Sequence, residues 1–302
     1  MPKPFVAVAG ATGQLGRLVA MSLRGRNVSV KALVRPGTAP SRTESLRNAG
    51  VTVAEADLSD VPALTKEVQG ASCVVSALNG LGDTMLGTQK ALLDAAVAAS
   101  VPRFIPSDFS LDFTKTEPGS NRNLDLRREF HKQLDESGIQ WTSILNGGFM
   151  ELLAGTAPLI NHSLRRVLYW NSANQELDFT TIPDTAAYTA AAAADTKPTP
   201  RFLRIAGDTF TPNDLAAIVS RVQGAPYSTL WVGSAGFLQG SSNLMRRFSI
   251  GGGEQDIFPA WQGMQYMANM FSGAGKLDPL DNDRYPDLKW TKVEGFLDQQ
   301  GS

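Results

Sequence analysis

The chain reads as an α/β protein: a doubly wound parallel-sheet domain over residues 1–150, then a smaller C-terminal α+β domain over 151–302. Three observations carry this. Short β-branched runs alternate with amphipathic stretches of helical length through the first half. A glycine-rich turn follows the first run directly. The second half drops the alternation and becomes rich in Gly, Ser, Met and aromatic residues. Strand runs alternating with helix-length patterns mean βαβ units and a parallel sheet covered on both faces.

Strands are expected at 5–9, 28–34, 51–53, 73–76, 103–105 and 141–145, where Val, Ile and aromatic residues suit a pleated surface. Helices are expected between them at 14–26, 41–48, 61–69, 84–99 and 123–136, where apolar residues recur with helical period. Gly50, Gly70 and Gly138 each follow one of these helices, where a left-handed cap is wanted. Further on, 178–182 and 201–206 have strand character, and an alanine-rich helix is expected over 184–194. This material, within 177–220, is free to pack back onto the first domain. Thr211-Pro212-Asn213-Asp214 offers an N-cap, a proline at the first helical position and an acid three residues after the cap.

Composition then narrows the function. At 302 residues, 42% hydrophobic and 19% charged, the chain has ample material for a core, which excludes wholesale disorder. Twenty-eight basic against 29 acidic side chains leave a net charge of -1, so no global basic field exists for nucleic acid or an anionic membrane. Neither is expected as a partner. One cysteine, Cys73, cannot form an internal disulfide, and two histidines cannot build a His-rich metal site. No metal is expected, Cys73 reads as a small core residue, and the expected setting is reducing and cytoplasmic. The first apolar run is too short for a secretory leader. Two charge-free stretches, 222–245 and 257–275, are interrupted by glycine, proline and amide side chains, so neither reads as a membrane span.

Gly10-Ala11-Thr12-Gly13-Gln14-Leu15-Gly16 follows the first expected strand and opens a helix. The first glycine permits the tight turn, the middle one lets backbone approach a pyrophosphate, and the last lets the helix pack on the sheet. The phosphate then sits on the N–H groups of a helix N-terminus. Strand before and helix after supply the context that gives the pattern meaning. The end of the second strand selects the nucleotide. An acid there would bind ribose hydroxyls and repel a 2′-phosphate, but this chain has Val34-Arg35-Pro36 and no acid before Glu44. The Arg35 guanidinium can stack on adenine and fork onto a phosphate, with Arg42 assisting, which favours NADP(H).

Together with that turn and Val34-Arg35-Pro36, four further segments resemble the NmrA-like, isoflavone-reductase-like group of atypical short-chain dehydrogenases. They are Ala56-Asp57-Leu58, Arg103-Phe104-Ile105-Pro106-Ser107-Asp108-Phe109, Gly138-Ile139-Gln140-Trp141-Thr142 and Asn146-Gly147-Gly148-Phe149-Met150. The likeness covers the first half well and continues weakly to 280–286. It implies a Rossmann domain with a smaller substrate domain, NADP(H) bound across the carboxyl ends of the strands, and reduction of small aromatic compounds. The group also holds nucleotide-binding regulators without turnover, so two functions stay open. One is an NADPH-dependent reductase of a small aromatic or conjugated carbonyl-type substrate; the other is an NADP(H)-sensing regulator with a protein partner. A homodimer suits either.

The resemblance also implies site residues. Gly10, Thr12, Gly13, Gln14, Leu15 and Gly16 would form the pyrophosphate turn, Arg35 would hold the 2′-phosphate, and Asp57 would lie near the adenine. Ser76, Ala77 and Leu78 would line the nicotinamide ribose, with Pro106, Ser107 and Asp108 near the nicotinamide. Reductases of this group carry a catalytic lysine early in the helix before the sixth strand. Counting back from Gly138, its place falls on Arg127. A guanidinium, with pKa above ~12, does not give up a proton as a lysine ammonium can. Arg127 is thus expected to orient substrate or hold oxyanion charge, or else to pair with Asp125 or Glu129. His131, four residues on, shares its helix face and is the expected proton shuttle; the alternative is an exposed histidine on a polar flank. Lys115 is a second candidate for the missing ammonium. Tyr285 to Lys289 has the Tyr-x-x-x-Lys spacing, but Pro286 argues against a helix there. Trp261, Met264, Gln265, Met267, Ala268 and Phe271 form one helical stripe, either core or a wall over the nicotinamide.

Overall fold

The structure, a computed structural model, describes residues 4–155 and 159–300. Its first half runs β1 (Phe5–Ala9), α1 (Gln14–Gly25), β2 (Ser29–Val34), α2 (Glu44–Asn48), β3 (Thr52–Glu55), α3 (Val61–Val68), β4 (Ala71–Ser76), α4 (Gln89–Ala98), β5 (Arg103–Ile105), α5 (Arg122–Ser137) and β6 (Gln140–Trp141). The six strands form one sheet in the order β3-β2-β1-β4-β5-β6, every pair parallel. Alternate side chains of β1 serve opposite faces, as a pleat requires. Val6 and Val8 join an apolar cluster with Val19 and Leu23 of α1, while Ala7 and Ala9 join one with Leu64, Leu92 and Phe104. The sheet is therefore covered on both sides, in the doubly wound order whose crevice opens between β1 and β4. Gly50, Gly70 and Gly138 hold φ of 75°, 80° and 71°, the left-handed conformation expected after those helices.

Two expected helices begin differently. The 41–48 helix enters through a 3-10 turn at Pro40–Arg42, and the 84–99 helix through a π turn at Asp83–Thr88. Gly82 and Gly87 at the latter have weak helical preference, which a hydrophobic period does not register. The expected strand 141–145 is also interrupted. β7 (Ser143–Leu145) leaves the main sheet to pair in parallel with β12 (Phe202–Arg204). The Thr142 amide still donates to Phe104 O at 3.0 Å, whereas the Ser143 amide donates to Arg201 O at 2.7 Å. One strand thus passes its hydrogen bonds from one neighbour to the next.

The rest of the chain runs β8 (Gly148–Phe149), β9 (Ile160–Asn161), β10 (Arg166–Tyr169), β11 (Leu177–Thr180), α6 (Ile182–Ala194), β12, β13 (Asp208–Phe210), α7 (Pro212–Gln223), β14 (Ser228–Trp231), α8 (Ala235–Arg247), α9 (Ala260–Phe271) and α10 (Val293–Gln300). The Thr181 side chain caps α6 by accepting from the Asp184 amide. Small alanines let α6 lie close to α1, where Ala186, Ala190 and Ala193 share a buried cluster with Val19, Ala20 and Leu23. Thr211 and Asp214 form a reciprocal capping box at the start of α7. Another core, drawn from residues 150 onward, gathers Met150, Trp170, Phe179, Phe210 and Phe271 among two three-stranded sheets and the later helices. Met264 and Met267 pack against it, so the stripe on α9 faces core. Cys73 is fully buried, and burial pushes its thiol up to about 12. Among the described residues no helix is long and apolar enough to cross a membrane.

Candidate functional site

The turn after β1 shows why each glycine is needed. Gly10 holds φ +79°, and a Cβ there would lie 2.3 Å from Ala77 O, against the end of β4. A Cβ on Gly16 would lie 2.4 Å from Gly10 O, so only glycine lets α1 sit down on the turn. Gly13 is the exposed N-cap of α1, without a side-chain cap and with no acid in the first turn. Thr12 and Leu15 are half-buried and Gln14 is exposed. Free N–H groups at the positive end of a helix fit a pyrophosphate.

Arg35 stands at the end of β2, where its carbonyl closes a turn with the amide and hydroxyl of Thr38. Its side chain is exposed and has no partner among the described residues, and the same holds for Arg42 and for Arg17 in the first turn of α1. Arg17 is an addition, since the glycine pattern leaves its position unspecified. Glu55, at the end of β3, accepts the Gly37 amide at 3.3 Å, so one carboxylate does border this corner. Asp57 is exposed; the hydroxyl and amide of Ser59 donate to it and hold its carboxyl below the usual value. At the far end of the crevice Ser107 ties two strand ends together. Its hydroxyl donates to Leu78 O at 2.6 Å, and its amide to Gln89 Oε1 at 2.9 Å. Ala77 and Leu78 are half-buried, while Ser76, Pro106 and Ser107 are buried.

Arg127 projects from α5 onto the loop that follows β5. Its Nε donates to Asp108 O at 2.5 Å and its Nη1 to Asn123 O at 2.8 Å, and Nη2 has no partner among the described residues. The acids beside it are engaged elsewhere: Asp125 with Arg128 and Glu129 with Lys132. The ion-paired alternative for Arg127 is therefore not what forms. His131 is buried rather than exposed. Its ring lies among Phe113, Trp141 and Phe202, with centroids at 5.0, 4.7 and 5.6 Å, and its Nε2 is 2.7 Å from Asp108 Oδ2. Ser143 donates its hydroxyl to that same oxygen at 2.5 Å.

Asp108 thus joins both expected catalytic residues, through its carbonyl to Arg127 and through its carboxylate to His131. It is fully buried, and its Oδ1 has no partner. Buried polar atoms are almost always bonded, so such orphans mark a place of interest. Ser76 Oγ and both amide atoms of Asn146, also at strand ends, are orphaned as well. Lys115 is not gathered here: its ammonium donates to the carbonyls of Lys276 and Asp278. Tyr285 donates its hydroxyl to Asp195 beside a 3-10 turn, so no catalytic Tyr–Lys helix exists there. Asn146 stood out only as the first residue of the resembling segment 146–150, with no role attached, and no residue pattern marks Ser143. Asp108 was legible as a strand end, but not as the hub of a cluster. A cavity of about 610 Å³ opens elsewhere, lined by Val28, Ser72, Arg103 and Pro198 at the opposite ends of the strands.

A doubly wound parallel sheet, an uncapped glycine turn in its crevice and polar groups at the carboxyl ends of its strands define a dinucleotide-binding domain with an added cap. The NmrA-like family model matches residues 2–297, and the chain belongs to that family. It is 27% identical over 316 residues to the isoflavone reductase homolog IRL of Zea mays, covering 98% of each chain. It is 29% identical over 222 residues to quinone oxidoreductase 2 of Escherichia coli (strain K12), covering 73% of this chain and 75% of that one. Among solved structures, AtPrR2 with NADP+ and (+)pinoresinol superposes with a TM-score of 0.83 at 21% identity, over 99% of both chains. The E. coli quinone oxidoreductase QOR2 complexed with NADPH does so with a TM-score of 0.76 at 23% identity, over 99% of this chain and all of that one. These likenesses establish the shared fold.

Proposed function

We propose that this chain is an NADPH-dependent reductase that delivers hydride to a small aromatic or conjugated carbonyl-type substrate. The observation that carries it is Arg127, fixed by Asp108 and Asn123 with one guanidinium nitrogen left free, on the same strand-end shelf as the glycine turn. Relatives of near-equal length named as reductases support the reading. Residues 1–150 would bind the nucleotide and 151–302 would cover the substrate, with α6 and β12 packed back onto the first part. A cytoplasmic setting goes with it.

In this reading the turn from Gly10 to Gly16 holds the pyrophosphate, Arg35 takes the 2′-phosphate with Arg17 and Arg42 beside it, and Asp57 borders the adenine. Ser76, Ala77, Leu78, Pro106 and Ser107 line the nicotinamide half. When bound, the reduced nicotinamide supplies the hydride. Arg127 Nη2 then donates to the oxygen that gains negative charge. Because its two other bonds fix the guanidinium beforehand, little reorganisation is needed. Arg127 holds charge without surrendering a proton. His131, enclosed by aromatic rings, acts through Asp108: with Ser143 it pins Oδ2 and so fixes the strand end whose carbonyl holds Arg127. The product's proton then comes from solvent.

Stopped-flow oxidation of NADPH by enones, quinones and aromatic aldehydes tests the proposal. Turnover is expected with at least one class, and Arg127→Ala should lower kcat/KM by roughly a hundredfold to a thousandfold, as loss of one oxyanion donor does. Tight nucleotide binding with no turnover across the panel would overturn it. That result would favour the second reading, a nucleotide-sensing regulator with a protein partner, for which the arginine at the lysine's place is the supporting observation.

A further inference from the structure

Arg-Arg pairs occur in the chain at 127–128, 165–166 and 246–247, and only the last has a hydroxyl-bearing residue two positions further on. It is followed by Phe248, Ser249 and Ile250, and then by Gly251-Gly252-Gly253. No Asp, Glu, Lys or Arg precedes the pair back to Arg221, so its charge stands alone on this part of the chain. The fold sets this sequence at the end of α8. Arg246 and Arg247 are the last residues of the helix, Phe248 closes it, and Ser249 turns left-handed with φ 53°. The Ser249 amide donates to Arg246 O at 3.1 Å and the Ile250 amide to Met245 O at 2.8 Å. Glycine or asparagine is the usual residue at such a close, because a Cβ at positive φ is strained. Gly138 and Gly224 fill that place after α5 and α7. A serine here makes the close less secure and presents a hydroxyl instead.

Ser249 is exposed and its hydroxyl has no partner among the described residues. Arg247, Phe248 and Ile250 are exposed with it, and the Arg247 guanidinium likewise bonds to nothing among the described residues. Arg246 is engaged: it pairs with Glu254 and stacks on Trp261, the ring on which Arg122 of α5 also stacks. Arg122 in turn donates to the carbonyls of Glu254, Asp256 and Ile257, which ties the segment after Ser249 to the start of α5.

We propose that Ser249 is a phosphorylation site for a serine kinase of the class that reads two arginines ahead of the hydroxyl and an apolar residue after it. Guanidinium groups at Arg246 and Arg247 suit an acidic substrate groove, and the open Ile250 side chain suits an apolar pocket beside it. A kinase cleft takes its substrate extended. The strained Ser249 and the three glycines beyond it let this turn pull straight with little to oppose it. In the transfer, Ser249 Oγ forms a bond to the γ-phosphorus of ATP, and the bond from that phosphorus to its bridging oxygen breaks. ADP leaves with the electron pair, and the hydroxyl proton passes to a carboxylate of the kinase. The added group carries a charge of about -1.5 to -2. It sits at the carbonyl end of α8, where the helix dipole is also negative, and it competes with Glu254 for Arg246 one turn back. The last turn of α8 therefore loosens. Neither the glycine turn nor Arg127 takes part, so the inference stands apart from the reductase reading.

Incubation of the folded full chain with magnesium, ATP and the catalytic subunit of cyclic-AMP-dependent protein kinase tests it. Tandem mass spectrometry should place one phosphoryl group on Ser249, and Ser249→Ala should take up none in this segment. Arg247→Ala removes a cation that holds nothing in the fold, and it should slow uptake at Ser249 roughly tenfold or more, as loss of a hydrogen-bonded charge does. Circular dichroism checks that both variants are folded. Hydrogen exchange at the amides of Phe248, Ser249 and Ile250 should be faster in the phosphorylated chain than in the parent. No phosphate at Ser249 overturns the proposal, as does uptake seen only after the chain is heated through its unfolding transition. So does uptake by folded Arg247→Ala at the parent's rate. Unchanged exchange in the phosphorylated chain would overturn the loosening of α8.

Discussion

In the proposed reading, Arg35 is the cation that selects the nucleotide. Its guanidinium is exposed and pairs with nothing among the described residues, so no competing bond must be broken when a phosphate arrives. Hydrogen bonds to charged groups contribute about 1.5–3 kcal/mol. Arg35→Ala should therefore raise the Kd for NADPH roughly tenfold to a hundredfold while leaving that for NADH nearly unchanged, as read by isothermal titration calorimetry. An equal loss for both nucleotides would show that the 2′-phosphate is held elsewhere, with Arg17 and Arg42 as the next cations to replace. Arg127 is the other residue on which the proposed function turns. Its place could be counted in the sequence from Gly138, but its partners could not. Asp108 O comes from 19 residues away, and the cluster's other members span 23 and 35 residues. Such contacts are tertiary, and no local period encodes them.

At the scale of elements, the glycine positions, the α7 capping box and the strand–helix alternation were legible because each depends on neighbours within a few residues. The handover at Thr142 was not, since it depends on β12 arriving from sixty residues downstream to bond Ser143. The same dependence on distant packing governs Glu151, which follows Phe149 at the entry to the cap. Its Oε1 accepts the Ile182 amide at the start of α6, while Oε2 is buried without a partner. Burial, with Asp184 adding to it, raises this carboxyl above its ordinary value. A carboxyl raised in the folded state loses stability as pH climbs through the ordinary carboxylate range and into the raised one. Glu151→Gln should thus have a higher Tm than the parent near neutral pH. The gap should close on acidification, which calorimetry at a series of pH values would reveal. A gap independent of pH would mean that the charge is not its source.

Across the whole molecule, other carboxylates run the opposite way. Arg246 holds Glu254 below its usual value, Arg221 does so for Glu294, and the Thr211 hydroxyl for Asp214. Groups lowered in this way stabilise the fold above the ordinary carboxylate range and lose that contribution as pH falls through their folded values. All three are largely exposed, so each contributes little singly. Together they predict a urea midpoint that is flat near neutrality and declines below about pH 4, where such groups titrate. A midpoint that rose on acidification would indicate that raised groups such as Glu151 dominate. Asp214 on α7, Glu294 on α10 and Glu254 between α8 and α9 all lie in the later part of the chain, so the cap should loosen before the main sheet does.

The strand that changes partners at Thr142 has a mechanical consequence. Its two halves are locked to different neighbours by adjacent amides, which leaves no slack for a hinge at that crossing. Any opening and closing of the cap must pivot elsewhere, and the Thr142 and Ser143 amides should exchange with deuterium together, only when the whole molecule unfolds.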